Sequence, residues 1–280
     1  MKYDNKWVRQ IAGLQHKDGS WGCFHTLSRP TKEQPITTEQ ALRRLRILGL
    51  TVEDEPIGRA LEYMRNVLKG KIRTSQREKV LNWDAFEAHI TATWIRFFEP
   101  DDSLALPVAR MWAEIVMPAF RNGSFDEETY AAEYRKRIPK LNAGERLIKL
   151  PQFYMVNLLK GVLDKRTENH FIDHIINNPD GIYYIYSRRI ADLPAKFDSK
   201  HTSYYLAALE QLAGYSCAAG KLNNAKQWLL SQRDVNGEWD MGPSVKDGVY
   251  FPLSESWRKP EDRRRDCTFR INNLLKALTR

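Results

Sequence analysis

The chain has 280 residues, 42% hydrophobic and 11% aromatic, which is enough to bury a sizeable core and excludes a disordered polyelectrolyte. Its 44 Lys and Arg against 35 Asp and Glu give a formal net charge of +9, mixed in sign along the chain. No run approaches the roughly 18 to 20 apolar residues of a membrane span, and no apolar stretch follows the basic N-terminal residues, so we expect neither a span nor a signal peptide.

The apolar residues recur at helical spacing, and this spacing predicts ten helices that alternate between an outer and an inner type. Ser and Thr stand near several predicted helix starts, where their hydroxyls suit the N-cap. In chain order the predicted helices span 3–15, 37–49, 56–69, 85–98, 104–121, 146–162, 167–178, 201–215, 221–232 and 263–279.

Short turns that combine glycine with an aromatic residue follow several of the outer helices. Their glycines are Gly19, Gly123, Gly181 and Gly237, and with a degenerate copy at Gly70 they recur at about 52 to 58 residues. A fixed period of this length indicates one repeat architecture, so we predict a single domain over residues 1–280. The segment 181–186 is the nearest to a strand pattern and predicts at most a short hairpin.

Three linkers, 22–36, 126–145 and 240–262, are long and rich in Pro, Gly or charge, which marks them as functional or variable loops. The three cysteines, Cys23, Cys217 and Cys267, are scattered and odd in number, as expected for reduced thiols, and we expect a cytoplasmic protein. Five of the six histidines are dispersed along the chain and are expected at the surface: His16, His25, His89, His170 and His174.

Two segments carry a family resemblance. One runs from Trp7 through Gln15 to Gly19-Ser20-Trp21, and the other from Trp228 through Gln232 to Gly237-Glu238-Trp239. They resemble the Gln-Trp repeats of squalene-hopene cyclases and the related repeats of protein prenyltransferase β subunits. The resemblance implies an all-α fold, an α/α toroid of about five helix pairs in which Gln and Trp tie the outer helices together. It also implies a central cavity for an apolar, isoprenoid-like ligand.

The chemical motifs of those families are mostly missing. No Asp-x-Asp-Asp acid of the cyclases occurs, and Glu53-Asp54-Glu55 precedes Pro56, which predicts a helix cap rather than an acid. The magnesium-binding Asp-Asp-x-x-Asp would need a carboxylate where this chain has Ala105, so the Asp101-Asp102 pair predicts a helix-opening loop. The sequence therefore leaves open whether the protein is an enzyme.

One segment, Asp198-Ser199-Lys200-His201-Thr202, resembles the Asp-x-x-His-Thr segment in which prenyltransferases place a zinc-binding histidine. Asp266 and Cys267 open the next inner helix, so a zinc site of Asp198, His201, Asp266 and Cys267 is one interpretation. The family's Asp-x-Cys lies upstream of the histidine, whereas here the Asp-Cys pair lies downstream. The other interpretation is that these residues cap and pack helix ends, and the sequence predicts no other cofactor.

Basic residues form runs near the predicted ends of the inner helices. A solvated face, a site for a diphosphate and a groove for nucleic-acid phosphates are all compatible with them. The runs are Arg43-Arg44 with Arg46, Arg135-Lys136-Arg137, Arg188-Arg189, Arg258-Lys259 and Arg263-Arg264-Arg265.

Two functional hypotheses follow from the sequence. In the first, the protein binds or processes an apolar small molecule in a cavity lined by aromatic residues, because aromatic faces stabilise apolar chains. In the second, a non-catalytic scaffold binds an acidic protein or nucleic acid through its basic face. The residues predicted to line the cavity of the first hypothesis are Trp94, Phe97, Tyr204, Tyr205 and Trp257. For Trp257 the alternative is that its ring packs on Pro252 or Pro260.

Overall fold

A computed structural model describes residues 5–25, 31–74, 80–140 and 142–279. The regular secondary structure of these ranges is helical, which confirms the predicted all-α class. Their only β pairing consists of isolated bridges, one of which joins Ile182 to Tyr186 and reduces the predicted hairpin to a closed turn. None of the helices in these ranges has the length and apolar character that a bilayer crossing requires.

The chain divides into two compact units. Unit 1 comprises Met1–Ala119, Asp126–Lys149 and Asn157–Val162, and unit 2 comprises Phe120–Phe125, Leu150–Val156 and Leu163–Arg280. The single domain over residues 1–280 stays a prediction.

In the described part of unit 1 there are six helices, and the short helix α7 begins in the unit 2 segment and ends in the unit 1 segment that follows. Every residue of α4 from 89 to 96 is buried, so this helix is surrounded by the core of unit 1, where it packs against α3 and α5. The helices are α1 Lys6–Gly13, α2 Thr38–Ile47, α3 Glu55–Leu68, α4 Trp83–Phe98, α5 Ala105–Ala119, α6 Glu127–Arg137 and α7 Phe153–Leu158.

Unit 2 is built around α9, which packs against α12 and against a short 3-10 helix at Pro243–Val245. Ser199 caps α9 by accepting a hydrogen bond from the backbone N–H of Thr202. The remaining helices are α8 Lys165–Asn177, α9 Lys200–Leu212, α10 Ala218–Lys221, α11 Asn223–Ser231 and α12 Pro260–Ala277.

The first and last Gly-Trp turns share one geometry. The indole N–H of Trp21 donates to the carbonyl of Ile11, and that of Trp239 donates to the carbonyl of Leu229, ten residues upstream and at 2.7 Å in both turns. The backbone N–H of each tryptophan donates at 3.0 Å to a threonine hydroxyl on the next inner helix, α2 or α12. Both indoles are buried, so these two turns are equivalent structural elements of a helical repeat.

The first turn also contacts α3. The amide of Gln15 donates to the carbonyls of Gly19 and Pro56, both at 2.8 Å, and so connects the end of α1 to the start of α3. Gly19 has a φ of 94°, and a Cβ there would lie 2.3 Å from the carbonyl oxygen of Arg59, so only glycine fits this position. At the last turn the amide of Gln232 donates only to a neighbouring hydroxyl.

Two segments differ from the prediction. The linker 126–145 contains helix α6, which Asp126 caps through the N–H of Thr129, although only Tyr130 and Tyr134 of the helix are buried. The inner helix predicted over 146–162 is reduced to the six residues of α7. The charged composition hid α6, and the apolar residues Leu147, Ile148 and Leu150 lie in an irregular segment rather than on a helix face.

Candidate anion-binding site

The predicted lining residues of unit 1 differ in exposure. Trp94 is fully buried and its indole N–H donates to the Glu39 carboxylate at 2.7 Å. Phe97, one turn further along α4, is partly exposed, with its ring 5.5 Å from that of Trp94 and 5.8 Å from that of Phe98. Trp94 therefore lies in the core behind Phe97, whereas the rings of Phe97 and Phe98 are partly accessible to solutes.

The predicted lining residues of unit 2 are mostly held by their own neighbours. Tyr205 is fully buried, its hydroxyl donates to the carbonyl of Ile190, and burial raises its pKa well above its usual value. Trp257 packs against the ring of Phe251 at 5.0 Å, rather than lying open. Tyr204 is partly exposed.

The four residues of the predicted zinc set serve different purposes in unit 2. Asp198 and His201 are exposed at the start of α9, whereas Asp266 and Cys267 are buried in α12. One carboxylate oxygen of Asp266 accepts hydrogen bonds from two backbone N–H groups, a serine hydroxyl and the Trp257 indole. Burial raises the pKa of the Cys267 thiol to about 12. Within the described ranges, no group of three His, Cys, Asp or Glu residues is placed to hold a metal ion.

The linker 240–262, which the sequence predicts to be a functional or variable loop, is held in unit 2 by a buried network. The Arg270 guanidinium pairs with Glu210 at 2.7 Å, donates to the hydroxyl and carbonyl of Ser203, and lies within 5 Å of the rings of Tyr250 and Phe251. The Ser203 hydroxyl in turn donates to a carboxylate of the linker. These contacts make the linker a structural part of unit 2.

The sequence predicts that the dispersed histidines lie at the surface, and for two of them this prediction is wrong. His25 and His89 are buried, and His174 is half-buried against the rings of Phe120 and Phe125. Burial lowers the pKa of His89 to about 3, so its imidazole is neutral at physiological pH. Neutral imidazoles pack in a core like other aromatic rings, which the sequence spacing could not reveal.

Several arginines of the basic runs are neutralised by nearby carboxylates. Arg137 pairs with Glu133, and Arg263 pairs with Asp240 at 2.6 Å. Arg265 pairs with a carboxylate one turn away. Such surface pairs leave less positive field for a nucleic acid to bind.

A group of three cations lies in and beside the end of α4, close to Phe97. We call Arg46, Arg96 and Lys160 the cation cluster. The guanidinium carbon of Arg46, from the last turn of α2, lies 5.8 Å from the centroid of the Phe97 ring. The Nζ atom of Lys160 lies 5.9 Å from the same centroid. Two cations from different parts of unit 1 thus converge on one ring.

Arg96 fixes the backbone of Lys160 in this position. Its guanidinium donates to the carbonyls of Pro100 and Lys160, both at 2.8 Å, and to the carbonyl of Leu158 at the end of α7. Arg96 is buried in α4, one residue before Phe97. The charge that binds the end of α7 therefore also places Lys160 beside the aromatic rings.

The electrostatics of the cluster are those of positive groups held together. The Lys160 amine donates to the side-chain oxygen of Asn157 at 2.8 Å. Among the described residues no carboxylate pairs with Arg46 or Lys160. Burial, together with the charges of Arg46 and Arg96, lowers the pKa of Lys160 to about 7. Such a site is complementary to an anion.

The sequence pointed to two members of this site, Phe97 and Arg46, and missed Lys160, Arg96 and Phe98. Phe97 stood among the predicted lining residues and Arg46 in a basic run, but nothing in the local pattern distinguishes Lys160 from the other lysines. Scans against protein-family models, curated proteins and solved structures found no match for this chain. The resemblance to the cyclase and prenyltransferase repeats therefore stays a prediction, as does the toroid.

Proposed function

We propose that this protein binds an amphipathic anion at the cation cluster. The head group, a diphosphate or another anion, lies on Arg46 and Lys160, and the apolar part lies on Phe97 and Phe98. The observation that carries the proposal is the convergence of Arg46 and Lys160 on the Phe97 ring with no carboxylate beside them in the described part of the chain.

The anionic character of the proposed head group follows from the repulsion between the cations in the ligand-free site. Lys160 is half-buried and Arg46 is exposed. Placing a half-buried amine near a second cation is unfavourable, and an anion that accepts hydrogen bonds from both cations offsets that cost. Arg presents a planar fork and Lys a point charge, a combination that suits phosphate oxygens. Elsewhere on the surface, arginines such as Arg137 and Arg263 are already paired with carboxylates of the chain itself.

The apolar part follows from the rings. Phe97 and Phe98 are partly exposed side by side at the end of α4, with the buried Trp94 behind Phe97. Removing such ring surface from water favours an apolar ligand by about 25 cal/mol per Å². An isoprenoid diphosphate is the member of this chemical class that the repeat resemblance predicts.

Calorimetric titration with geranyl diphosphate, inorganic diphosphate and geraniol tests the proposal. We expect the ester to bind at least tenfold more tightly than either of its parts. Arg46→Gln should weaken binding of both diphosphates about tenfold, since a charge-assisted hydrogen bond is worth about 1.5 to 3 kcal/mol. Phe97→Ala should weaken the ester alone.

Arg110→Gln, which changes an exposed arginine on α5, is the matched control and should leave all three titrations unchanged. An equal loss in this control would show that binding depends on net charge and not on the site. Saturable, salt-dependent binding of an oligonucleotide with no binding of geranyl diphosphate would favour the basic scaffold instead.

A further inference from the structure

The amine of Lys160 differs in its surroundings from the amines of Lys136 and Lys221. Lys136 pairs with Glu133 and Lys221 with Asp173. The charged groups that face the Lys160 amine are Arg46 from α2 and Arg96 from α4, and both are positive.

We propose that Lys160 is a nucleophile whose amine condenses with the carbonyl group of an anionic aldehyde or keto acid to form an imine. The inference rests on the proposed function, because the cation cluster must hold the anionic group of the carbonyl compound. It adds a reaction and narrows the class of amphipathic anions to those with a carbonyl group, which isoprenoid diphosphates lack.

The geometry supplies what the reaction requires. An amine attacks only in its neutral form, and placement beside cations in a partly buried position favours that form. The side-chain oxygen of Asn157 accepts a hydrogen bond from the Lys160 amine at 2.8 Å, and this bond orients the nitrogen. Arg46, whose guanidinium carbon lies 5.8 Å from the centroid of the same Phe97 ring, is available for the anionic group of the same molecule. The lowered pKa of Lys160, about 7, agrees with this arrangement.

The step is balanced without an oxidant or a reductant. The nitrogen lone pair of Lys160 forms a bond to the carbonyl carbon, and the π electrons move to oxygen, which takes up a proton. The resulting carbinolamine loses its oxygen as water, using the two hydrogens of the neutral amine. The products are one imine and one water molecule.

Pyridoxal 5′-phosphate is a suitable probe, since it carries an aldehyde, a phosphate and an aromatic ring. The full chain is incubated with a limiting amount at pH 7, the imine is reduced with borohydride, and the modified lysines are mapped by peptide mass spectrometry. We expect Lys160 to be labelled at least tenfold faster than Lys136. The reason is that an ordinary lysine, with a pKa near 10.4, is almost entirely protonated at pH 7.

Two variants and one competitor complete the design. Lys160→Arg keeps the positive charge and should remove the fast phase of labelling. Arg46→Gln should slow it about fivefold, and Arg110→Gln should not change it. Inorganic diphosphate should slow the labelling of wild-type Lys160 at least fivefold.

The outcomes separate this inference from the function on which it rests. If diphosphate binds in the calorimeter but Lys160 reacts no faster than Lys136, the imine is refuted and anion binding stands. If diphosphate neither binds nor protects, the proposed function fails. Fast labelling of Lys160 that diphosphate does not slow would also overturn the inference, because the carbonyl compound would then not occupy the anion site.

Discussion

Replacing Lys160 with methionine should stabilise the ligand-free protein at low pH. Methionine keeps an apolar chain of similar length beside Phe97 and removes the amine that lies near Arg46 and Arg96. The variant also loses the hydrogen bond to Asn157, which contributes about 1 kcal/mol in the opposite direction.

The pH dependence of this effect has a definite sign. The pKa of Lys160 is about 7 in the folded chain and 10.5 for an ordinary lysine. Between these values the unfolded chain binds more protons, so the stability of the wild-type protein rises with pH across this window. Below pH 7 the penalty is complete and amounts to at most about 5 kcal/mol, and partial exposure of the side chain reduces it to roughly 2 kcal/mol.

Urea unfolding of both proteins at pH 6 and pH 9.5, in a buffer without phosphate, measures the difference. We expect Lys160→Met to be more stable by about 1 kcal/mol at pH 6, and equal or less stable at pH 9.5. Lys140→Met, at an exposed position, is the control and should show no such change with pH. An identical difference at both pH values would refute the claim that neighbouring charges and burial disfavour the charged amine.

Three further changes test the fold. Trp21→Phe and Trp239→Phe should each cost about 2 kcal/mol in urea unfolding, because each leaves a buried carbonyl without its indole donor; sensitivity at only one of them would contradict the equivalence of the two turns. Gly237→Ala, where a Cβ meets open space, should cost about 1 kcal/mol for its positive φ, and Gly19→Ala at least 3 kcal/mol by thermal or urea unfolding; equal costs would argue against the contact of that turn with α3. Arg270→Met should lower the free energy of unfolding by about 3 to 5 kcal/mol, and a loss below 1 kcal/mol would show that its ion pair is dispensable.

The helices whose formation depends on local signals were predictable from the sequence. The predicted span 56–69 corresponds to α3, Glu55–Leu68, because Pro56 stands in its first turn and Gly70 ends it in a left-handed conformation. Helix α6 was missed although it carries local signals, namely the Asp126 cap, acidic residues in its first turn and basic residues in its last turn, because few of its residues are apolar. Its buried contact is tertiary: the hydroxyl of Tyr130 donates to the carbonyl of Ile148, a residue outside the helix.

The candidate site was predictable only in part, for the same reason. An aromatic residue near the end of an inner helix, such as Phe97, has a pattern that indicates a cavity wall or a core. The position of Lys160 depends on where Arg96 binds carbonyls more than 60 residues further along the chain. The predicted zinc set shows that repeat spacing can also suggest a site whose residues have other contacts. The spacing groups Asp266 with His201, but the Asp266 carboxylate accepts hydrogen bonds from donors of the linker 240–262.

The largest departure from the predicted repeat lies beside the cation cluster, and the two features have a common physical origin. A helix over the whole of 146–162 would bind the carbonyl of Leu158 within its own ladder, whereas the carbonyl of Lys160 would lie in the last turn without an intrahelical donor. Helix α7 instead ends at Leu158, and Arg96 supplies donors to both carbonyls. The chain thus replaces the helical hydrogen bond of Leu158 with a contact to a buried cation, and the same cation holds Lys160 beside Phe97. Positions where local pattern and tertiary structure disagree at a cost in stability are those where function is expected. An anion that binds Arg46 and Lys160 would offset that cost, which is why the free protein should gain stability when Lys160 loses its charge.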